Sequence, residues 1–526
     1  MLKRIIMFLL SLLIPVVSYS QTIYNFEDKP AASKKNPYNG MGSHVLKAST
    51  NNLSKQPLLT QADFSNDNTV YVIKYDYKLA SNITIPDGCV LQFNGGSIAG
   101  DYKLFGTNTC INANLVKIFG EGVKLGGTWN VRESYPEWFG AKGDGVTDDK
   151  KAIQRVLDYF DNVYFSAKKY FINAEKRDYV FLINHPISIE GVFEKSEIQF
   201  SNLNMETTCF QLENDFVKIE NIFLKGDSKQ YKGIAIKHIN PIRKASYGRS
   251  LHMTNVKIWY FYNGIIANSY LDSYKWVECA HCVNGFYLGT EANVDMTSNT
   301  LICCYARDCS GIGYNFNRLI YSTIISCAAD NCSTAYKLNA SENLSFISCG
   351  CENSQQAFLI RSCFNIGIHN QRIYNGEVLN ERIYNKLIDI ATCWEVTFYS
   401  LQRSSNRINR KNKYITVGKS AQKDVPCVRF AYCHDPYLNI SEAIINKNNS
   451  TFNNYELLLC GVNNNYEDEI LSNTVAPTRY STIRPDTSGL RIGYCFFDTV
   501  LNKPIYWTGD ITKGDKGWVD ALGNKP

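Results

Sequence analysis

The sequence predicts an all-β chain wound as a parallel solenoid, and three observations predict it. The first is a repeat. Cys304, Cys327 and Cys349 recur at intervals of 23 and 22 residues, and Cys309, Cys332 and Ser354 follow at 23 and 22. A fixed period of this length means that one structural unit is laid down turn after turn. The second is the content of each unit. Cys304-Tyr-Ala-Arg-Asp-Cys309, Cys327-Ala-Ala-Asp-Asn-Cys332 and Cys349-Gly-Cys-Glu-Asn-Ser354 superpose as short alternating strands rich in Asn and Gly. Ile302, Ile325 and Ile347 stack upstream of them, and Tyr314, Tyr336 and Phe358 downstream. The third is composition: 44% of the 526 residues are hydrophobic and 20% charged, which supports a long core and excludes a disordered chain.

Taken in order, Met1 to Gln21 reads as a secretory leader. Lys3 and Arg4 supply the charged start, Ile5 to Val17 the apolar stretch and Ser18-Tyr19-Ser20 a small-x-small cleavage site. The apolar stretch is too short for a membrane span, and no later segment is apolar enough to be one. The expected product is therefore exported, periplasmic or extracellular, with a signal peptide at 1–20 and an N-terminal extension at 21–61. A formal charge of +6, from 55 basic and 49 acidic residues, is no footprint for nucleic acid.

Residues 62–135 also read as solenoid, with Ile83-Thr-Ile-Pro, Val90-Leu-Gln-Phe and Gly95-Gly-Ser-Ile as strands. A helix is expected over about 148–160. Thr147 would cap it, Asp148 and Asp149 would suit the positive end of its dipole, and Ala152, Ile153, Val156, Leu157 and Phe160 form its apolar stripe. This acidic pair fits capping better than catalysis. Val217-Lys-Ile-Glu-Asn-Ile222 and Asn255-Val-Lys-Ile-Trp259 look like further turns.

All 18 cysteines lie beyond the leader. In an oxidising compartment disulfides are the default, yet the periodic spacing favours stacked, buried thiols acting as small hydrophobes. Cys279-Ala280-His281-Cys282 lacks the second half of a zinc site, so no metal and no cofactor is expected.

The run Trp138-Phe-Gly-Ala-Lys-Gly-Asp-Gly-Val-Thr-Asp-Asp149, followed by Ala152-Ile153-Gln154, resembles the opening motif of the pectate-lyase superfamily, in its rhamnogalacturonase/epimerase-like branch. The resemblance spans about residues 62–400. It implies a right-handed single-stranded parallel β-helix, of a kind found in polysaccharide-degrading enzymes and phage tailspikes. The short signatures of polygalacturonases and calcium-dependent pectate lyases are missing, which turns the expectation away from pectin. The Cys-rich repeats at 327–330 and 349–352 resemble tailspike and appendage-type members, and that likeness is compatible with a homotrimer. The architecture expected is thus all-β, with the β-helix at 62–400, a short packing helix and a small C-terminal β-domain. Arg403, Arg407, Arg410, Lys411 and Lys413 mark a basic linker at 401–413, more in keeping with a solvated connection than an anion site. An accessory β-domain is expected at 414–480. A terminal module at 481–526, holding Gly493 to Trp507 and Trp518, looks like those of tail-fibre-like proteins.

Strand alternation then locates the chemistry. With Ile325 and Cys327 inward, three columns face solvent: Trp276, Cys303, Ser326 and Ser348; Lys257, Glu278, Tyr305, Ala328 and Gly350; and Trp259, Ala280, Arg307, Asp330 and Glu352. Small side chains at Ala328 and Gly350 would floor a shallow groove. Asp330 and Glu352 are the expected catalytic pair. Stacked carboxylates couple, so that one holds its proton and the other stays ionised, as acid–base glycosidases require. Arg307 would clamp the ionised partner or an anionic substrate group. Trp259, Trp276, Glu278 and Tyr305 would contact sugar, and His369 would lie outward one turn beyond Ser348. The bland reading of the same columns is a solvated ladder of surface charge with tryptophans packed on it. His281 reads as an inward or turn residue that hydrogen-bonds within the structure.

Two functions follow. One is an exported enzyme that cleaves a polysaccharide, as glycosidase or lyase, with a microbial surface glycan favoured as substrate by the tailspike likeness. The other is a spike that binds a surface glycan, or serves a structural role, without cutting.

Overall fold

The computed structural model describes residues 41–46, 56–175, 177–239, 248–289, 295–375, 386–405, 413–422, 425–435, 440–447, 454–458, 460–462, 465–469, 479–481, 494–498, 501, 503–520 and 522–525. The expected leader lies outside them. Three long sheets carry the body, of 14, 13 and 11 strands among the described residues, and their strands recur in rotation along most of the chain. Pairing within the three sheets is parallel up to the last turn, where Cys460–Val462 meets Asn465–Glu469 antiparallel. The chain is a right-handed single-stranded parallel β-helix. Residues 58–129 form shorter parallel sheets ahead of it. No helix among the described residues is long and apolar enough to cross a membrane.

We call the 14-stranded sheet the first face. The elements used below are α1 (Lys150–Tyr159), β1 (Lys257–Trp259), β2 (Glu278–Ala280), β3 (Tyr305–Arg307), β4 (Ala328–Asp330), β5 (Gly350–Glu352) and β6 (Phe364–His369). Strands β1 to β5 belong to the first face and β6 to the 13-stranded second face.

Side chains that repeat in sequence stack in space. Phe286, Tyr314, Tyr336 and Phe358 are in register on the 11-stranded third face, with ring centroids 4.8, 5.1 and 5.1 Å apart. Offset stacking of this kind adds to the burial of each ring. Thiols fill the corners. The Cys304 amide donates to Cys327 Sγ at 3.4 Å, the Cys332 amide to Ser354 Oγ at 3.1 Å and the Cys363 amide to Cys393 Sγ at 3.3 Å. Each sulfur or hydroxyl thereby accepts a buried N–H at a bend, where the strand ladder is interrupted.

The seventeen cysteines from Cys89 to Cys460 form no disulfide. Burial pushes the Cys349 and Cys351 thiols up to about 12, so they are held as unreactive thiols. Of these seventeen, Cys303 alone is exposed and Cys110 partly so. A thiol-exchange reagent should therefore label Cys303 quickly and Cys110 more slowly in the native protein. The fifteen buried cysteines of this set should react only after denaturation without reductant. A denatured, unreduced chain with few titratable thiols would show instead that they are bridged.

The corners also explain one correction. Trp276, Cys303, Ser326 and Ser348 each take a left-handed conformation, at φ 53°, 52°, 51° and 53°. Each is an extra residue at the bend, and it resets the alternation. Ile325 therefore faces outward, and Ile324, fully buried, occupies the core beside it. Ile302, Ile325 and Ile347 do stack, but on the outer surface. The reset falls upstream of Cys327, so Ala328 and Asp330 keep their outward placement.

Helix α1 packs with Ala152, Ile153, Val156 and Leu157 buried, followed by Phe160. Its N-cap is Asp149, whereas Thr147 lies in the preceding strand Asp144–Asp148. The Asp149 carboxylate turns back to accept the amides of Lys142 at 2.6 Å and Gly143 at 3.0 Å, and Asp144 accepts those of Val146 and Thr147. The acidic residues of this motif thus fold their own loop. Gly143 has φ 60°, and a Cβ there would meet the Lys168 side chain at 2.6 Å, so the loop needs glycine at that point.

The solenoid does not end near residue 400. Gln402–Ser405, Ile415–Val417, Val428–Ala431, Ile444–Asn446 and Tyr455–Leu458 extend the same three faces. Arg403 is no linker residue: it is buried and ion-paired to buried Asp435. Arg407, Arg410 and Lys411 fall outside the described residues. Arg479–Ser481, Cys495–Asp498, Lys503–Trp507 and Trp518–Val519 make a separate small sheet around Ile505, Trp507 and Trp518.

Candidate active site

Strands β1 to β5 bring the expected columns together in the expected order. Lys257, Glu278, Tyr305, Ala328 and Gly350 pair in one column, and Trp259, Ala280, Arg307, Asp330 and Glu352 in the next. Ala280 is covered by its neighbours. The floor at Gly350 is open, since a Cβ there would meet only Ala328 Cβ, at 3.9 Å.

The two carboxylates sit on adjacent turns, which the strand spacing puts ~4.8 Å apart, yet their surroundings differ. Asp330 is partly buried, its Oδ2 accepts the Tyr305 hydroxyl, and its Oδ1 is buried without a partner. Burial holds its pKa above the usual aspartate value. The Glu352 charge pushes the same way, and together they outweigh the Tyr305 hydrogen bond. Glu352 is exposed. Burial also raises the Tyr305 phenol, reinforced by its bond to Asp330, so Tyr305 stays a donor. One carboxyl is thus prepared to keep a proton while its neighbour faces water.

Arg307 does not clamp either of them. Its Nη2 lies 3.0 Å from Glu278 Oε1 and its Nη1 3.5 Å from Asp308 Oδ2. The physical reason is the corner: Asp308, at φ 53°, turns its carboxylate back toward the guanidinium, and Glu278 holds it from the turn before. Glu278 is accordingly an anchor for Arg307. Trp259 is not an open platform, because it is edge-on to Phe223 at 5.0 Å and to His281 at 5.8 Å, with Arg307 over its face at 5.9 Å. Trp276 is 50% exposed at a corner, with Lys275 Nζ 4.2 Å from its ring centre. His369, on β6, pairs with Ile347 rather than following Ser348. It lies on the second face, its ring stacked on Tyr399 at 4.7 Å, and takes no part in the groove. His281 occupies a corner at φ 51°, with Nδ1 3.5 Å from Asp308 Oδ2.

Arg372 is a groove residue that the sequence reading passed over. It pairs with Gly350 and is exposed at the end of the floor. The signal was present, because Ala328, Gly350 and Arg372 are spaced by 22 residues. Among the described residues no group of three or more His, Cys, Asp or Glu side chains is placed to hold a metal ion.

No protein-family model matches the chain, and no curated protein sequence does. Solved structures do. A tailspike, gp42, of Acinetobacter phage vb_AbaP_AS12 is 13% identical, over 66% of this chain and 67% of its own, with a TM-score of 0.44. The A-module of a mannuronan C-5 epimerase from Azotobacter vinelandii is 13% identical, over 62% and 94%, at 0.40. An endo-xylogalacturonan hydrolase from Aspergillus tubingensis is 9% identical, over 62% and 95%, at 0.39.

Proposed function

We propose that this is an exported carbohydrate-active protein that cleaves a polysaccharide lying along the first face. The observation that carries the reading is the asymmetric pair: Asp330 partly buried with a raised pKa, and Glu352 exposed beside it. Asp330 donates its proton to the glycosidic oxygen as the C–O bond breaks. Glu352 attacks or shields the anomeric carbon from the other side of that bond. A turn spacing of ~4.8 Å is compatible with the ~5–5.5 Å carboxyl separation of retaining glycosidases. In that mechanism Glu352 forms a glycosyl ester, and water, deprotonated by Asp330, then releases the sugar. Tyr305 holds the acid in place through its hydroxyl.

The test is reducing-end release from a panel of capsules, O-antigens, mucin glycans and pectins by the mature protein, beside an Asp330→Asn/Glu352→Gln double variant. Release by the wild type alone is the expected result. Equal release by both would keep an enzyme and remove this site. Binding to a glycan without any release would leave a non-catalytic, tailspike-like attachment protein. A product absorbing in the ultraviolet would identify a β-eliminating lyase. A sedimentation measurement giving a monomer would dispose of a homotrimer.

A further inference from the structure

Beside the groove is a pocket of ≈ 530 Å³ that the carboxylate mechanism does not use. Tyr231, Tyr262, Gln230, His281, Asp308 and Ser310 line it, over an apolar floor that includes Val283. Its size suits one or two sugar rings, within the range of small-molecule sites. The walls are built rather than incidental. Tyr231 stands edge-on to Tyr260 at 6.1 Å, and Tyr260 stacks on His281 at 5.3 Å and 17°. His281 is oriented in turn by Asp308 at 3.5 Å.

The pocket also lies along the row of corners that leads to the turn of Asp330. His281, Asp308 and Asn331 are corner residues of three successive turns, immediately following β2, β3 and β4. Asn331 Nδ2 donates to Asp308 Oδ1 at 2.9 Å, and Asn331 is the residue after Asp330. Two turn spacings, roughly 10 Å, separate the His281 corner from that of Asp330, which a short oligosaccharide spans.

The charges select the ligand. Asp308 is the pocket's one carboxylate, and it already engages His281, Arg307 and Asn331. Arg307 is shared between Glu278 and Asp308, so it offers no uncompensated positive charge to an acidic sugar. What remains is aromatic surface with convergent donors and acceptors, a lining that suits the apolar face and hydroxyls of an uncharged pyranose.

We propose that this pocket is a subsite for a neutral sugar unit, hexose or N-acetylhexosamine, that anchors the glycan next to the Asp330–Glu352 pair. The proposal rests on the glycan-cleaving reading for its role, but not for its chemistry.

The experiment is saturation-transfer NMR and titration of the full-length mature protein. The neutral probes are maltotriose, laminaritriose, cellotriose, mannotriose and triacetylchitotriose, and the acidic probe is trigalacturonate. At least one neutral probe should bind, with transfer from tyrosine ring protons. Tyr231→Ala and Tyr262→Ala should each weaken it roughly five- to tenfold at an unchanged melting temperature, and Tyr231→Phe should retain it. No neutral probe binding, equal affinity in the alanine variants, or preferential binding of trigalacturonate would overturn the proposal. The two readings separate cleanly. Neutral binding lost in Tyr231→Ala, with no glycan cleaved, would sink the cleavage reading and leave the subsite. Cleavage with a KM indifferent to both alanine changes would do the reverse.

Discussion

Asp330→Asn should lower turnover on the cleaved glycan by roughly 10²–10⁴-fold, the usual worth of a positioned general acid, without loss of fold. Asparagine keeps the oxygen that accepts the Tyr305 hydroxyl but has no proton to give. Glu352→Gln should cost at least as much if Glu352 is the nucleophile. The pH dependence distinguishes the two roles. Activity needs Asp330 protonated, so kcat/KM should fall as Asp330 loses its proton. The fall comes above the ordinary aspartate range, because burial and the Glu352 charge raise Asp330. In Glu352→Gln the like-charge contribution disappears, and the alkaline limb of any residual activity should move to lower pH. An alkaline limb that stays in place would mean that Asp330 is not the acid.

The same carboxyl has a measurable effect on stability, with a definite sign. A pKa raised in the folded state means that the native chain holds this proton more tightly than the unfolded one does. Stability is therefore greatest below the unfolded value of about 3.9, falls as pH rises through the window up to the folded value, and stays lower above it. Asp330→Asn removes the charge that is costly to keep there, so the variant should melt above the wild type at pH 7, and this advantage should vanish near pH 3. A functional site commonly carries such a cost, since the environment that prepares a group for chemistry opposes its charge.

Much of this was legible because a solenoid writes its contacts into its spacing. A residue at Cys304 must pack against that at 327, and that at 327 against 349, so a period of 22 or 23 residues was enough to place Asp330 beside Glu352. What the period could not show lies at the corners. A single left-handed residue, Ser326, is invisible in the hydrophobic pattern yet turns Ile325 outward. The partner of Arg307 was equally hidden. Three carboxylates lie within a turn of it, and the choice of Glu278 and Asp308 over Asp330 depends on where the Asp308 corner points. His369 was misplaced by one residue for the same reason, since Ser348 is the inserted corner residue and Ile347 the true strand partner. The pocket escaped because Gln230 and Tyr231 belong to a loop that does not repeat.

Arg403 shows a different failure, and it carries the second large expected effect. Its inward position continues the column Cys279, Ala306, Ala329, Cys351 and Ile373. A guanidinium therefore stands where five small or apolar side chains precede it, and in sequence it looked like one more charge in a basic run. The structure compensates it fully. Arg403 Nε donates to Asp435 Oδ2 and Nη2 to Oδ1 at 3.1 Å, with side chains 2% and 0% exposed, and the Tyr414 ring lies 4.4 Å below the guanidinium. A two-point pair of this kind is tolerable only while both members are present. Arg403→Met or Asp435→Leu alone should each destabilise the C-terminal turns by about 3–5 kcal/mol, because each leaves a buried charge without its counter-ion. The double change, which removes both charges and keeps most of the volume, should recover most of that loss. Hydrogen exchange of strands Gln402–Ser405 and Val428–Ala431 is the suitable readout, since a solenoid can fray from one end before it unfolds as a whole. Single variants that exchange at the wild-type rate, or a double variant as labile as the sum of the two, would show that the pair does not hold these turns together.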